Sequence, residues 1–147
     1  MPNIALEWQR FDELSAHLRY EVLRFRQSIF VVEQRSPYAD LDGRDQEAWH
    51  LLLQSEGELA GYLRLIPMPI RIGRIAVASH FRRRGLGRRL MEEALRVCRE
   101  RYPAQDIILA AQLDLVPFYS SFGFAVISEP YDDFGVMHVE MRMRPRG

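Results

Sequence analysis

The stretch from Arg71 to Glu100 constrains this chain more than any other. Arg71–Val77 reads as an apolar strand, and Arg88–Glu100 puts Leu90, Ala94, Leu95, Val97 and Cys98 on or beside one face of a helix. Between them stands Arg82-Arg83-Arg84-Gly85-Leu86-Gly87-Arg88. A turn that opens a helix presents free backbone N–H groups at the positive end of the helix dipole, which together make an anion site. Gly85 and Gly87 lack the side chains that would keep a pyrophosphate from those groups, and the arginines add mobile positive charge. The turn therefore predicts phosphate binding, with a solvated arginine-rich surface as the plainer alternative. It is not a P-loop, because the Gly-Lys-Ser/Thr ending is missing, and not a dinucleotide fingerprint, which needs three glycines in its own spacing.

Around this unit the periodicities predict a layered α/β arrangement. After a short apolar start (Ile4 to Trp8), Phe11–Phe30 spaces Leu14, Leu18, Val22 and Phe25 as one face of an amphipathic helix. From Val31 to Trp49 the turn formers Pro37, Asp40, Asp42, Gly43 and Asp45 make a connection long enough to carry function. His50–Gln54 and Glu58–Ile66 read as a β-hairpin closed through Ser55, Glu56 and Gly57 and ended by Pro67 and Pro69. Ile107–Ala111 is a buried-strand candidate, Val116–Phe122 a short helix with Pro117 in its first turn, and Phe124–Ile127 and Val136–Met143 two closing strands. Antiparallel strands come first, then a central pair joined through a helix, in one domain spanning residues 1–147.

Composition narrows the partners. Twenty arginines, with no lysine, balance 20 acidic residues, so no overall field favours nucleic acid or membrane as the main partner. No apolar run approaches the ~18 residues of a membrane span, no signal-peptide pattern opens the chain, and the single Cys98 cannot form an internal disulfide. A cytoplasmic location is the expectation. Cys98 reads as a small buried apolar group, and no metal is expected.

Ile72-Gly73-Arg74-Ile75-Ala76-Val77, followed by Arg82-x-x-Gly85-x-Gly87 and an apolar-faced helix, resembles motif A of the GNAT superfamily of N-acetyltransferases. Gln112, then Phe118-Tyr119 and Phe122-Gly123-Phe124, resembles that superfamily's second cofactor motif. A narrower likeness to the ElaA-like branch is carried by Phe25-Arg26, Ile29 to Gln34, Pro37-Tyr38, Asp42 to Asp45, Tyr131-Asp132 and His138 to Met141. Ser36 departs from that branch, which usually has Cys there.

The resemblance implies a mixed, mostly antiparallel sheet flanked by helices, with a parallel strand pair splayed around an acetyl-CoA site, and acetyl transfer from acetyl-CoA to an amine acceptor. It implies that the backbone of Ile75, Ala76 and Val77 serves the pantetheine arm and thioester. By the same likeness Arg82, Arg83, Arg84, Gly85, Leu86, Gly87 and Arg88 hold the pyrophosphate, Gln112 bonds the cofactor arm, and Tyr119 gives a proton to the departing sulfur. Tyr119 also sits among Phe118, Phe122 and Phe124, which would suit a core residue. Glu33, His50 and His138 are candidates for the base, and Glu33, Tyr38, Asp42 and His50 for the acceptor side; the plainer readings pair Glu33 with Arg24 or Arg26 and make His50 and His138 core histidines bonded to backbone. The edge formed by Asp40, Asp42 and Asp45 suits a cationic amine, or is only a solvated turn. A homodimer is common in the superfamily. Two rivals are an acyl-homoserine-lactone synthase, resembled by Arg26 to Glu33, and a CoA-binding sensor without catalysis. The complete arginine-glycine turn argues against the first and Tyr119 against the second.

Overall fold

Strand-length apolar runs separated by turn formers assemble one sheet. In the computed structural model, which describes residues 3–145, its order is β1-β2-β3-β4-β5-β8-β6, with β7 also on β8. β1 (Ile4–Arg10), β2 (Trp49–Ser55), β3 (Glu58–Ile66) and β4 (Ile70–Val77) are antiparallel neighbours. β4 and β5 (Ile107–Gln112) are parallel, joined through α2 (Leu86–Arg101), because parallel strands need a long crossover. β8 (Val136–Met143) runs antiparallel to β5; its outer edge takes β6 (Ala125–Val126) and β7 (Tyr131–Asp133). This is the mixed, mostly antiparallel α/β sheet that the motifs imply. The outermost two residues at each end of the expected domain lie outside the described residues.

Strand alternation sends side chains to two covered faces. Leu51 and Leu53 of β2 belong to the core beneath α2, and Leu52 between them to a smaller cluster with Leu14, Val22 and Tyr62. α2 buries Leu86, Leu90, Met91, Ala94, Leu95 and Cys98, each large side chain worth roughly 1.5–3 kcal/mol of burial. A Cβ on Gly61 would lie 3.1 Å from Leu90 Cδ1, so glycine there lets the helix settle close to β3. Cys98 is buried and free, and burial pushes its thiol up to about 11, which keeps it protonated and inert.

The expected helix over residues 11–30 is three pieces. A 3₁₀ turn covers Phe11–Glu13, α1 covers Ala16–Gln27, and a wider π-helical turn covers Ser28–Glu33. Ser15 causes the first break, since its Oγ accepts the Leu18 N–H at 3.1 Å and caps a new helix. The π turn is marked by i→i−5 bonds from Gln34 to Ile29 and from Ser36 to Val31. α3 (Val116–Ser120) and β6 are shorter than predicted, and β7, which the sequence did not suggest, forms a hairpin with β8. Its turn residues Phe134 and Gly135 both have positive φ, 53° and 86°, the two-residue geometry usually announced by Asn-Gly. No described helix is long and apolar enough to cross a membrane.

Candidate active site

A bulge opens the sheet at its centre. Arg64 pairs with Gly73 and Tyr62 with Ala76, so β4 carries one more residue than β3 across this step. Arg74 takes it up in the left-handed region, φ 53°. β4 pairs with β5 only from Ile70 to Ile72, against Ile107 to Leu109. Beyond that point Gly73–Val77 have no β5 partner, and the two strands part around a cleft of about 150 Å³.

Several elements contribute to the lining of this cleft. Tyr119 on α3, Gln112 at the end of β5, His138 on β8 and Ile75 on β4 all line it. Gln112 and His138 are opposite each other in the β5–β8 register. Tyr119 is 6% exposed, and burial alone pushes its phenol up to about 12, so it carries its proton at neutral pH. Phe118 and Phe124 meet its ring edge-on, at 5.1 and 6.5 Å. His138 Nδ1 lies 2.8 Å from the Val136 carbonyl. A carbonyl only accepts, so Nδ1 carries the hydrogen and the neutral ring keeps its lone pair on Nε2.

The arginine-glycine turn follows β4 directly. Gly85 caps α2 with φ 74°, and the first intrahelical bond runs from the Arg89 N–H to the Gly85 carbonyl at 3.1 Å. The N–H groups of Leu86, Gly87 and Arg88 therefore lack intrahelical acceptors. A Cβ on Gly85 would meet nothing within 4 Å, and one on Gly87 only the Phe118 ring at 3.8 Å. The space over the helix start is thus open to a phosphate. Arg83, Arg84 and Arg88 of this turn are exposed, Arg84 over the Phe81 ring and Arg88 over Phe122 at 4.7 Å.

The chain matches the family model for an acetyltransferase (GNAT) domain over residues 19–145. Protein ElaA of Escherichia coli is 37% identical, covering 92% of this chain and 95% of its own. The chain belongs to the GNAT acyltransferases, in the ElaA-like family. ElaA's crystal structure superimposes with a TM-score of 0.89 at 35% identity, over 95% of this chain and 99% of ElaA's. An acyl-CoA N-acyltransferase from Pseudomonas aeruginosa gives 0.88 at 32% identity, over 95% and 99% of the two chains. A GNAT acetyltransferase from Elizabethkingia anophelis with acetyl-CoA bound shares the fold at 16% identity, TM-score 0.70, over 97% and 98%.

Other predicted residues of this GNAT chain are occupied elsewhere. Glu33 receives both terminal nitrogens of Arg82, at 2.7 and 3.0 Å, while Arg82 Nε bonds the Val77 carbonyl at 2.9 Å. The pair ties the π turn to the end of β4; Glu33 is not among the residues that line the cleft, and all three guanidinium nitrogens of Arg82 have protein acceptors. His50 corrects its expected role more sharply. It is fully buried, its Nε2 facing the Asp45 carbonyl at 2.9 Å and its Nδ1 the Tyr62 hydroxyl at 2.5 Å, and burial lowers its pKa.

The acidic edge of the long loop is likewise engaged by arginines: Asp40 and Asp45 are buried, and Asp42 keeps part of its surface in solvent. Arg26, with no exposed surface, bonds Asp40 at 3.0 Å and Asp45 at 2.6 Å. Arg64 bonds Asp42 at 2.7 Å and Asp45 at 3.2 Å; Arg74 reaches Asp40 at 2.9 Å and Asp42 at 3.1 Å. Partial burial pushes the Asp42 carboxyl up, but the Arg64 hydrogen bonds, the Arg44 N–H and the charges of Arg64 and Arg74 hold it well below the usual carboxylate range. Asp42 is thus spent on holding the loop. The sequence missed this network, whose signal was Arg26 itself, four residues after Val22 on the buried face of α1.

Tyr38 does line the cleft, with Arg74 above its ring at 4.8 Å and Phe134 edge-on at 5.6 Å. Ser36 donates from Oγ to the Phe134 carbonyl at 2.7 Å, joining the loop to the β7–β8 turn. Among the described residues no cluster of three or more His, Cys, Asp or Glu is placed to hold a metal.

Proposed function

We propose that this GNAT protein transfers an acetyl group from acetyl-CoA to a primary amine. The observation that carries the reading is the parting of β4 from β5, with Tyr119, Gln112 and His138 around the opening and the Gly85 turn at the end of the same strand. Acetyl-CoA, the ligand bound by the Elizabethkingia neighbour, would supply the thioester as cosubstrate.

The N–H groups of Leu86, Gly87 and Arg88, with Arg83 and Arg84, suit the pyrophosphate. The unpaired β4 edge at Ile75, Ala76 and Val77 suits the pantetheine amides and the thioester carbonyl, whose developing negative charge N–H donors favour. Gln112 holds the arm from the other side. His138 Nε2 takes the proton of the attacking amine, whose nitrogen bonds to the acetyl carbon as the C–S bond breaks. Tyr119 gives its proton to the leaving thiolate. Titration calorimetry with acetyl-CoA and thiol release with a panel of amines test this; absence of acetyl-CoA binding would overturn it.

A further inference from the structure

The ion pairs around the cleft leave one charge over. Arg64, Arg71 and Arg74 line it, and buried Arg26 shares Asp40 with Arg74 and Asp45 with Arg64. Asp40, Asp42 and Asp45 answer Arg26, Arg64 and Arg74, and Glu140 answers Arg71 at 2.8 Å. Four guanidiniums and four carboxylates are matched, so none of the arginines presents an uncompensated charge.

Asp133 lines the same cleft from β7, half-buried, and among the described residues no Arg or His stands within salt-bridge distance of it. Asp133 pairs with Val136 and Tyr131 with His138, so Asp133 and His138 lie on one face of the hairpin. The aromatic rings of Phe30 and Tyr38 line the cleft as well. An entering acceptor meets aromatic walls, an imidazole lone pair and one unmatched carboxylate. An ammonium group gains a partner there, whereas a carboxylate or phosphate on the same acceptor loses water and finds only cations already paired.

We infer that the acceptor is a primary amine bearing no acid group of its own, and that Asp133 binds its ammonium group beside His138. This rests on, and deepens, the acetyl-transfer reading. The test compares amines with their carboxylated counterparts, tyramine with tyrosine and agmatine with arginine, titrated calorimetrically into the CoA-saturated protein and assayed by thiol release with acetyl-CoA. Binding of at least one amine roughly tenfold tighter than its amino acid is expected, and Asp133→Asn or Asp133→Ser should erase that difference by weakening the amine, with CoA affinity unchanged. Equal or tighter binding of the amino acids, no binding of either amine, or full discrimination in both variants overturns the assignment. Discrimination in the titration without thiol release supports Asp133 and sinks acetyl transfer; release with variants like wild type does the reverse.

Discussion

Tyr119 and His138 reach the cleft from different elements, α3 and β8, and their hydrogen-bonding positions suit opposite tasks. Burial keeps the Tyr119 phenol protonated, and the Val136 carbonyl leaves His138 its lone pair on Nε2. Tyr119→Phe keeps the ring packing and removes the proton; acetyl-CoA affinity should be retained while kcat falls by roughly 100-fold, as expected for a lost general acid. His138→Asn should lower kcat/KM by a similar order, about 100-fold, with thermal stability near wild type. Steady-state thiol release checks both, and full activity in either variant removes that residue from the mechanism.

At the scale of elements, the two decisive features are the left-handed start of α2 and the loop locked to the sheet. Gly85→Val puts a β-branched residue at φ 74°, costing roughly 1–2 kcal/mol of backbone strain, and fills the space above the free N–H groups. Gly87→Leu fills the same space within helical geometry. Both should weaken acetyl-CoA binding at least about tenfold in calorimetry, and loss in the second shows that blocked space rather than unfolding is responsible. Arg26→Met leaves Asp40 only Arg74 and Asp45 only Arg64; removing one partner of a buried ion pair costs about 3–5 kcal/mol, and with these remaining partners the shift in urea unfolding should fall at or below the lower end of that range.

For the molecule as a whole, the network that holds the cleft wall makes stability depend on acid. Burial pushes the Asp45 carboxyl up, but hydrogen bonds and charge from Arg26 and Arg64 outweigh it and hold it low; Asp42 is held low as well. Burial holds the His50 imidazole below its ordinary value. All three folded values lie below the unfolded ones, so the unfolded chain binds protons first as the pH drops. Stability should therefore be complete at pH 7.5, decline below about 6.5 as the unfolded imidazole titrates, and decline again below about 4 with the carboxylates. Urea midpoints from pH 7.5 to 3.5 check this, and His50→Gln should flatten the first decline. A midpoint that rises between pH 7 and 5 would contradict the assignment.

Local chemistry was legible before the fold. The strand, arginine-glycine turn and helix from Arg71 to Glu100 could be read as one unit because its determinants, a glycine-capped helix start and its charge, lie within one continuous segment. Their order, and that of Gln112 and Tyr119, sufficed to place the chain among the GNAT acyltransferases. The acceptor side was not legible in the same way. Asp42 and His50 resembled site residues because both are polar and stand in or beside a long loop, yet Arg64 and Arg74 claim the first and Asp45 and Tyr62 the second. Glu33 pairs with an arginine 49 positions away, and Asp133 gained significance only when every nearby cation proved matched. A sequence lists charges, but which are neutralised is settled by distance, and only the tertiary structure sets those distances.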